Sequence, residues 1–161
     1  MIKDINKNDI PACVGVIKQS FLNIAEQFGI TAENSPRFTA FSVTAEKLLY
    51  QLETERRLMR ACFSDNGEIV GYYSLLFSDN RECELSNLCV LSQYRHCRIG
   101  SRLLRDAFEN AAQKGCIKMK IGIVEENRIL KKWYEEKGFV PVGTKKFDFF
   151  KFTCGYMDKR L

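Results

Sequence analysis

The chain is nearly devoid of histidine. His96 is its one imidazole in 161 residues, and the seven cysteines, Cys13, Cys62, Cys83, Cys89, Cys97, Cys116 and Cys154, never fall in a C-x-x-C pair. Zinc sites draw on such clusters, so no metal is expected. The scattered thiols read as reduced, small core residues. Cys97, beside arginines at a helix start, is the exception worth noting, yet it lacks the ordered base a cysteine nucleophile needs. Apolar runs of the roughly 18–20 residues that span a bilayer are also missing, and the opening "MIKDINKNDI" has no signal-peptide core. A cytoplasmic protein without membrane association is the expectation. Nor is there a repeat, a low-complexity tract or a Pro/Gly/Ser linker, which predicts a single domain over residues 1–161. The net charge of +5 is spread along the chain with no basic run interleaved with aromatics. That distribution argues against a nucleic-acid binder.

What is present is an ordered alternation of patterns. Residues 2–5 read as a short strand, and a helix starts near Asp9 and Pro11 with Ile10, Val14, Ile17, Phe21, Leu22 and Ala25 at helical spacing. Residues 29–43 show no period and read as a loop. Thr44 then caps a helix through about Glu53. "RLMRACFS" and "EIVGYYSLLF" form a hairpin around Asn66-Gly67, and "CELSNLCV" is the next strand. A helix with the stripe Leu103, Leu104, Ala107, Phe108, Ala111 and Ala112 ends at Lys114-Gly115. In "IKMKIGIV", Ile117, Met119, Ile121 and Ile123 alternate onto one face. Asn127 caps a last helix that stops at Gly138, with Ile129, Leu130, Trp133 and Lys137 on one stripe. Phe139–Phe150 and Phe152–Leu161 read as two further strands. The order β-α-α-β-β-β-α-β-α-β-β predicts an α+β fold, a mixed, mostly antiparallel sheet flanked by helices.

At the centre lies "YRHCRIGSRLL", where a strand passes through a loop into a helix. Helix N-termini present unpaired N–H groups and a positive dipole end, so they hold anions. Arg95 and Arg98 add charge there, and Gly100 permits close backbone approach. The pattern fits neither the P-loop nor the dinucleotide fingerprint.

"LSNLCVLSQYRHCRIGSRLL" resembles the acetyl-CoA motif of the GCN5-related N-acetyltransferase (GNAT) superfamily, Gln/Arg-x-x-Gly-x-Gly/Ala. Arg95 takes its first position and Gly100 its last, while Arg98 replaces the first glycine. "NRILKKWYEEKGF" resembles the family's second block, with Asn127, Tyr134, Gly138 and Phe139 at its spacings. The resemblance implies a GNAT fold and transfer of an acetyl group from acetyl-CoA to a primary amine of a small molecule or protein, by direct attack in a ternary complex. A longer acyl-CoA, or a non-catalytic CoA-binding module, are the alternatives.

The same resemblance implies that Leu88, Cys89 and Val90 pair with the pantetheine arm, with an N–H near Cys89 or Val90 polarising the thioester. Arg95, His96, Cys97, Arg98, Ile99, Gly100 and Ser101 then hold the pyrophosphate, and Asn127 and Tyr134 complete the cofactor site. Asn127, Lys131 and Tyr134 share a helix face. Tyr134 is the candidate acid for the leaving thiolate. Glu84 is the candidate base, with Glu82, Glu125 and Glu126 as other carboxylates able to attract a cationic acceptor. The acceptor pocket is expected between residues 28–41 and the aromatic "KKFDFFKF". No acidic cluster is dense enough to specify a polyamine, aminoglycoside or lysine peptide. Oligomeric state, a homodimer included, stays open.

Overall fold

The computed structural model describes all 161 residues as one seven-stranded sheet in the order β1-β2-β3-β4-β5-β7-β6, with helices on both faces. The elements are β1 (Ile2–Asp4), α1 (Ile10–Phe28), α2 (Thr39–Ser42), α3 (Ala45–Glu53), β2 (Leu58–Phe63), β3 (Ile69–Phe77), β4 (Glu82–Val90), α4 (Ile99–Gln113), β5 (Lys118–Val124), α5 (Arg128–Glu136), β6 (Val140–Lys146) and β7 (Thr153–Arg160). Every neighbouring pair is antiparallel except β4 and β5. The two expected caps are in place. Thr44 accepts from the Lys47 N–H at 3.1 Å, and Asn127 from the Leu130 N–H at 3.2 Å.

Some details differ from the pattern. The segment 29–43 contains a helical turn, α2, whose Ala40 is buried against α1. Ile117 lies before β5 and is 50% exposed, while Met119, Ile121 and Ile123 are buried as the alternation requires. Ala112 faces solvent. The long strand expected through Phe150 ends at Lys146, and residues 147–152 turn the chain back into β7. Ile129 leaves the helix stripe altogether and is 86% exposed.

Helix α4 covers one face of the sheet over a core of Tyr73, Leu75, Leu85, Leu103, Leu104 and Met119, joined by Tyr134 of α5. Helices α1 and α3 cover the other face over Ile17, Leu48, Met59, Tyr72 and Cys89. A partly buried polar network fixes α4. The Asp106 carboxylate accepts from Arg60 Nε at 2.7 Å and from the Tyr73 hydroxyl at 2.6 Å, and Arg60 also reaches Asp4. Burial and the adjoining carboxylate push the Tyr73 phenol well above its ordinary value, so it stays a neutral donor.

Strand β4 changes its parity in mid-course. Cys83 and Leu85 point to the α4 face, yet Cys89 points to the α1 face and Leu88 back toward α4. The switch occurs at Asn87, whose φ of 56° places it in the left-handed region that asparagine tolerates. One extra residue here forms a bulge opposite β3, where the register shifts between Tyr72 and Ser74.

Two glycines should respond in opposite directions. A Cβ on Gly71 would sit 2.8 Å from Leu103 Cδ1 and 3.2 Å from the Cys89 carbonyl oxygen, so β3 needs glycine for α4 to seat. Gly15 is exposed in mid-α1 with nothing within 4 Å of its Cβ position. Urea denaturation should show Gly71→Ala losing about 1–3 kcal/mol and Gly15→Ala gaining roughly 0.5–1 kcal/mol.

Candidate active site

Parallel pairing between β4 and β5 lasts three rungs, Glu82↔Lys118, Cys83↔Met119 and Glu84↔Lys120. Beyond them the strands part. The bulge at Asn87 bends and twists β4 at the start of the gap. A cleft of about 930 Å³ follows the gap through the sheet, lined on one side by α4 and α5 and on the other by α1 and the 150–156 segment.

On the α4 side the gap ends at the loop singled out in the sequence. None of the backbone N–H groups of the six residues His96–Ser101 donates to a protein acceptor; the ladder resumes with Arg102 donating to the Arg98 carbonyl. His96 and Arg98 both have positive φ, 69° and 59°. Left-handed residues alternating with ordinary ones curl successive N–H groups into an anion-binding concavity. At Arg98 the left-handed backbone costs about 1–2 kcal/mol. Gly100 has no steric need for glycine within the protein, its nearest Cβ neighbours being Trp133 and Val90 at 3.9 Å. The space over it belongs to the cleft.

The remaining expected residues fall into place unequally. Arg95 lines the cleft but donates through Nε to the Val90 carbonyl at 3.2 Å, bracing the loop against the end of β4. His96, Arg98, Ile99, Gly100 and Ser101 line it as well, whereas the Cys97 side chain is exposed outside it. Leu91 donates to the Val70 carbonyl on β3, so strand alternation turns the Val90 N–H toward the gap and the Cys89 N–H away from it. The Cys89 thiol lies on the α1 face, where burial raises it to about 12. It remains a neutral, inert thiol.

Tyr134 projects from α5 into the gap region. It is 6% exposed, packed edge-on to Trp133 at 4.9 Å and Phe139 at 5.3 Å between ring centroids. Its hydroxyl makes no hydrogen bond within the protein, and burial pushes the phenol above its ordinary value. Asn127 lines the same wall, but its Oδ1 is occupied as the α5 cap. Lys131 is paired with Glu125, and both Glu126 oxygens accept from the Thr153 N–H. Glu82 bridges Lys118 and Lys120, which holds its carboxyl below the usual range. Those three carboxylates are therefore structurally engaged. Glu84 has no cationic partner, stands on the last paired rung, and is the one carboxylate lining the cleft, on the α1 face.

Sequence reasoning missed the α1 contribution. Ser20, Phe21, Ile24 and Gln27 line the cleft along one helix edge. Their spacing of three and four residues was a usable signal, since it continues the helix face past the core stripe.

A mixed sheet whose central parallel pair splays beside a donor-rich helix start defines the acyl-CoA N-acyltransferase fold. Residues 26–139 match the model of the acetyltransferase (GNAT) family, and the chain belongs to that family. It is an enzyme of the N-acetyltransferase class. An uncharacterised N-acetyltransferase of Mycobacterium tuberculosis is 27% identical over 118 residues, 73% of this chain and 75% of the relative. Among solved structures, the PaiA N-acetyltransferase of Thermoplasma acidophilum, in complex with coenzyme A, superposes with a TM-score of 0.85 at 20% identity, covering 100% of this chain and 98% of its own. The ribosomal-protein-S18-alanine N-acetyltransferase of Escherichia coli gives 0.78 at 16% identity, over 99% and 92%. These two likenesses establish the shared fold.

Because the Tyr134 hydroxyl has no partner while its ring is packed, the two parts separate by mutation. Tyr134→Phe should leave the melting temperature almost unchanged, and Tyr134→Ala should cost about 3–5 kcal/mol in denaturant titration.

Proposed function

We propose that the protein moves the acetyl group of acetyl-CoA directly to a primary amine, with both substrates held in the cleft at once. The observation that carries this reading is the run of unpartnered N–H groups at His96–Ser101, set at the end of a strand whose other edge is open. Residues 98–101 suit a pyrophosphate through the helix start and its dipole. Beyond Glu84, the free edge of β4 suits an extended arm that adds to the sheet through backbone hydrogen bonds. When bound, acetyl-CoA supplies a thioester whose C–S bond breaks as the C–N bond forms.

The residues divide the work by face. The Val90 N–H points into the gap, where it donates to the thioester oxygen as negative charge develops there. Tyr134, from the α5 side, gives its proton to the departing sulfur and is refilled from solvent. Its raised pKa keeps the proton in place at neutral pH. Glu84, from the α1 side, attracts the acceptor and takes its proton directly or through one water. An alkylammonium costs roughly 4–5 kcal/mol to neutralise at pH 7, and a carboxylate at the mouth lets that proton leave along the path of entry. In this reading acid and base stand on opposite faces of the sheet and do not neutralise one another.

Calorimetric titration of CoA tests the anion site. Gly100→Val should weaken binding strongly, because a branched side chain fills the space over the helix start; unchanged affinity would displace the cofactor from this loop. Arg98→Gly should bind equally well or better by relieving the left-handed backbone. A loss beyond about tenfold, or 1.4 kcal/mol, would make the guanidinium itself a phosphate ligand.

Single-turnover thiol release tests the chemistry. Tyr134→Phe should lower turnover by about 10²-fold or more at unchanged acetyl-CoA affinity. Normal turnover with chemistry rate-limiting removes Tyr134 from the reaction and leaves water as the donor.

A further inference from the structure

The α1 half of the cleft is a separate chamber with its own chemistry. Phe21, Ile24, Phe38, Phe150 and Phe152 wall it, with Phe38 and Phe152 buried and edge-to-face at 5.4 Å. At its inner end the Ser20 hydroxyl is sealed from solvent (the residue is 2% exposed) against the Cys89 thiol. Toward the mouth, Arg37 lines the chamber with no carboxylate in ion-pair range, its guanidinium held over the Phe149 ring at 4.2 Å. Stacking on a ring fixes the plane of a guanidinium and leaves its N–H edges free for a bidentate carboxylate. Glu84 is the chamber's one acid.

We infer that the acceptor is a free apolar amino acid, a compact molecule with one amine, one carboxylate and an aliphatic or aromatic body. The inference rests on the acetyl-transfer reading of the cleft. The apolar body lies among the phenylalanines, the carboxylate on Arg37, and the amine toward Glu84 and the gap. The new C–N bond forms at the α-nitrogen as the thioester C–S bond breaks, the nitrogen's proton passing to Glu84 and the sulfur taking the Tyr134 proton. A polyamine is a poor match: its second cation would meet Arg37, which has no carboxylate beside it to offset the repulsion.

The test compares L-phenylalanine, L-leucine and L-methionine with phenylalanine amide, phenethylamine and spermidine, at fixed acetyl-CoA with a thiol-release readout. The amino acids should exceed the amide and phenethylamine at least tenfold in kcat/KM. Arg37→Ala should shrink that ratio at least tenfold, mainly through KM, and Arg37→Glu should invert the preference. Equal or better turnover of the amide, phenethylamine or spermidine by the parent protein overturns the inference, as does a ratio indifferent to Arg37. Absence of turnover with every amine, while calorimetry shows CoA bound, overturns it too. Failure to bind CoA at all overturns instead the acetyl-transfer reading beneath it.

Discussion

The molecule depends on a parallel pairing that is allowed to last only three rungs. Were β4 and β5 hydrogen-bonded along their full lengths, the sheet would be continuous and nothing could cross it. The left-handed Asn87 prevents this by inserting one residue into β4, which bends the strand and reverses which side chains face which layer. Leu85 and Leu88 both serve the α4 core, Cys89 the α1 core, and the backbone between them is left without a partner on the β5 side. From that single irregularity follow the gap, the free strand edge and the alignment of β4 with the start of α4.

The separation of the two faces gives the site its chemistry. On the α4 and α5 side stand a turn of unpartnered N–H groups and a neutral, proton-bearing phenol. On the α1 side stand an unpaired carboxylate, an unpaired guanidinium and apolar walls. Neither set meets the other except through the gap. A reaction in which a nucleophile arrives from one direction and a leaving group departs in the other suits such a divided chamber, because each partner is desolvated by a different layer of the fold.

Much of this was legible in the residues. Thr44 and Asn127 advertise their helices because an oxygen-bearing side chain at those positions satisfies an otherwise orphaned N–H, whatever the tertiary context. Met119, Ile121 and Ile123 follow the strand period for the same local reason. The departures came where tertiary packing decides. Ile117 and Ile129 are apolar yet exposed, one just outside its strand and the other on the rim of the cleft. The bulge leaves a trace in the three-residue spacing of Leu85 and Leu88 around an asparagine, a break in the period of two that a strand pattern alone does not distinguish from ordinary variation. The α1 wall went unread because Ser20, Phe21, Ile24 and Gln27 are unremarkable helix residues until the splay beside them is known. Only the family resemblance set Glu84 ahead of the other carboxylates; nothing in the local residue pattern does. Glu82, Glu125 and Glu126 differ from Glu84 only in having found partners.

The outer strands bear on what can attach to this sheet. At one rim β1 is three residues long, and at the other β6 carries Pro141 together with Lys145 and Lys146. Short strands, proline and lysine all discourage another chain from joining an exposed edge. The backbone left open to new pairing therefore lies in the interior of the sheet, between strands four and five in sequence. There the sides of the cleft, rather than edge chemistry, choose what may enter. The protein has in effect moved its sticky edge from the perimeter to the centre.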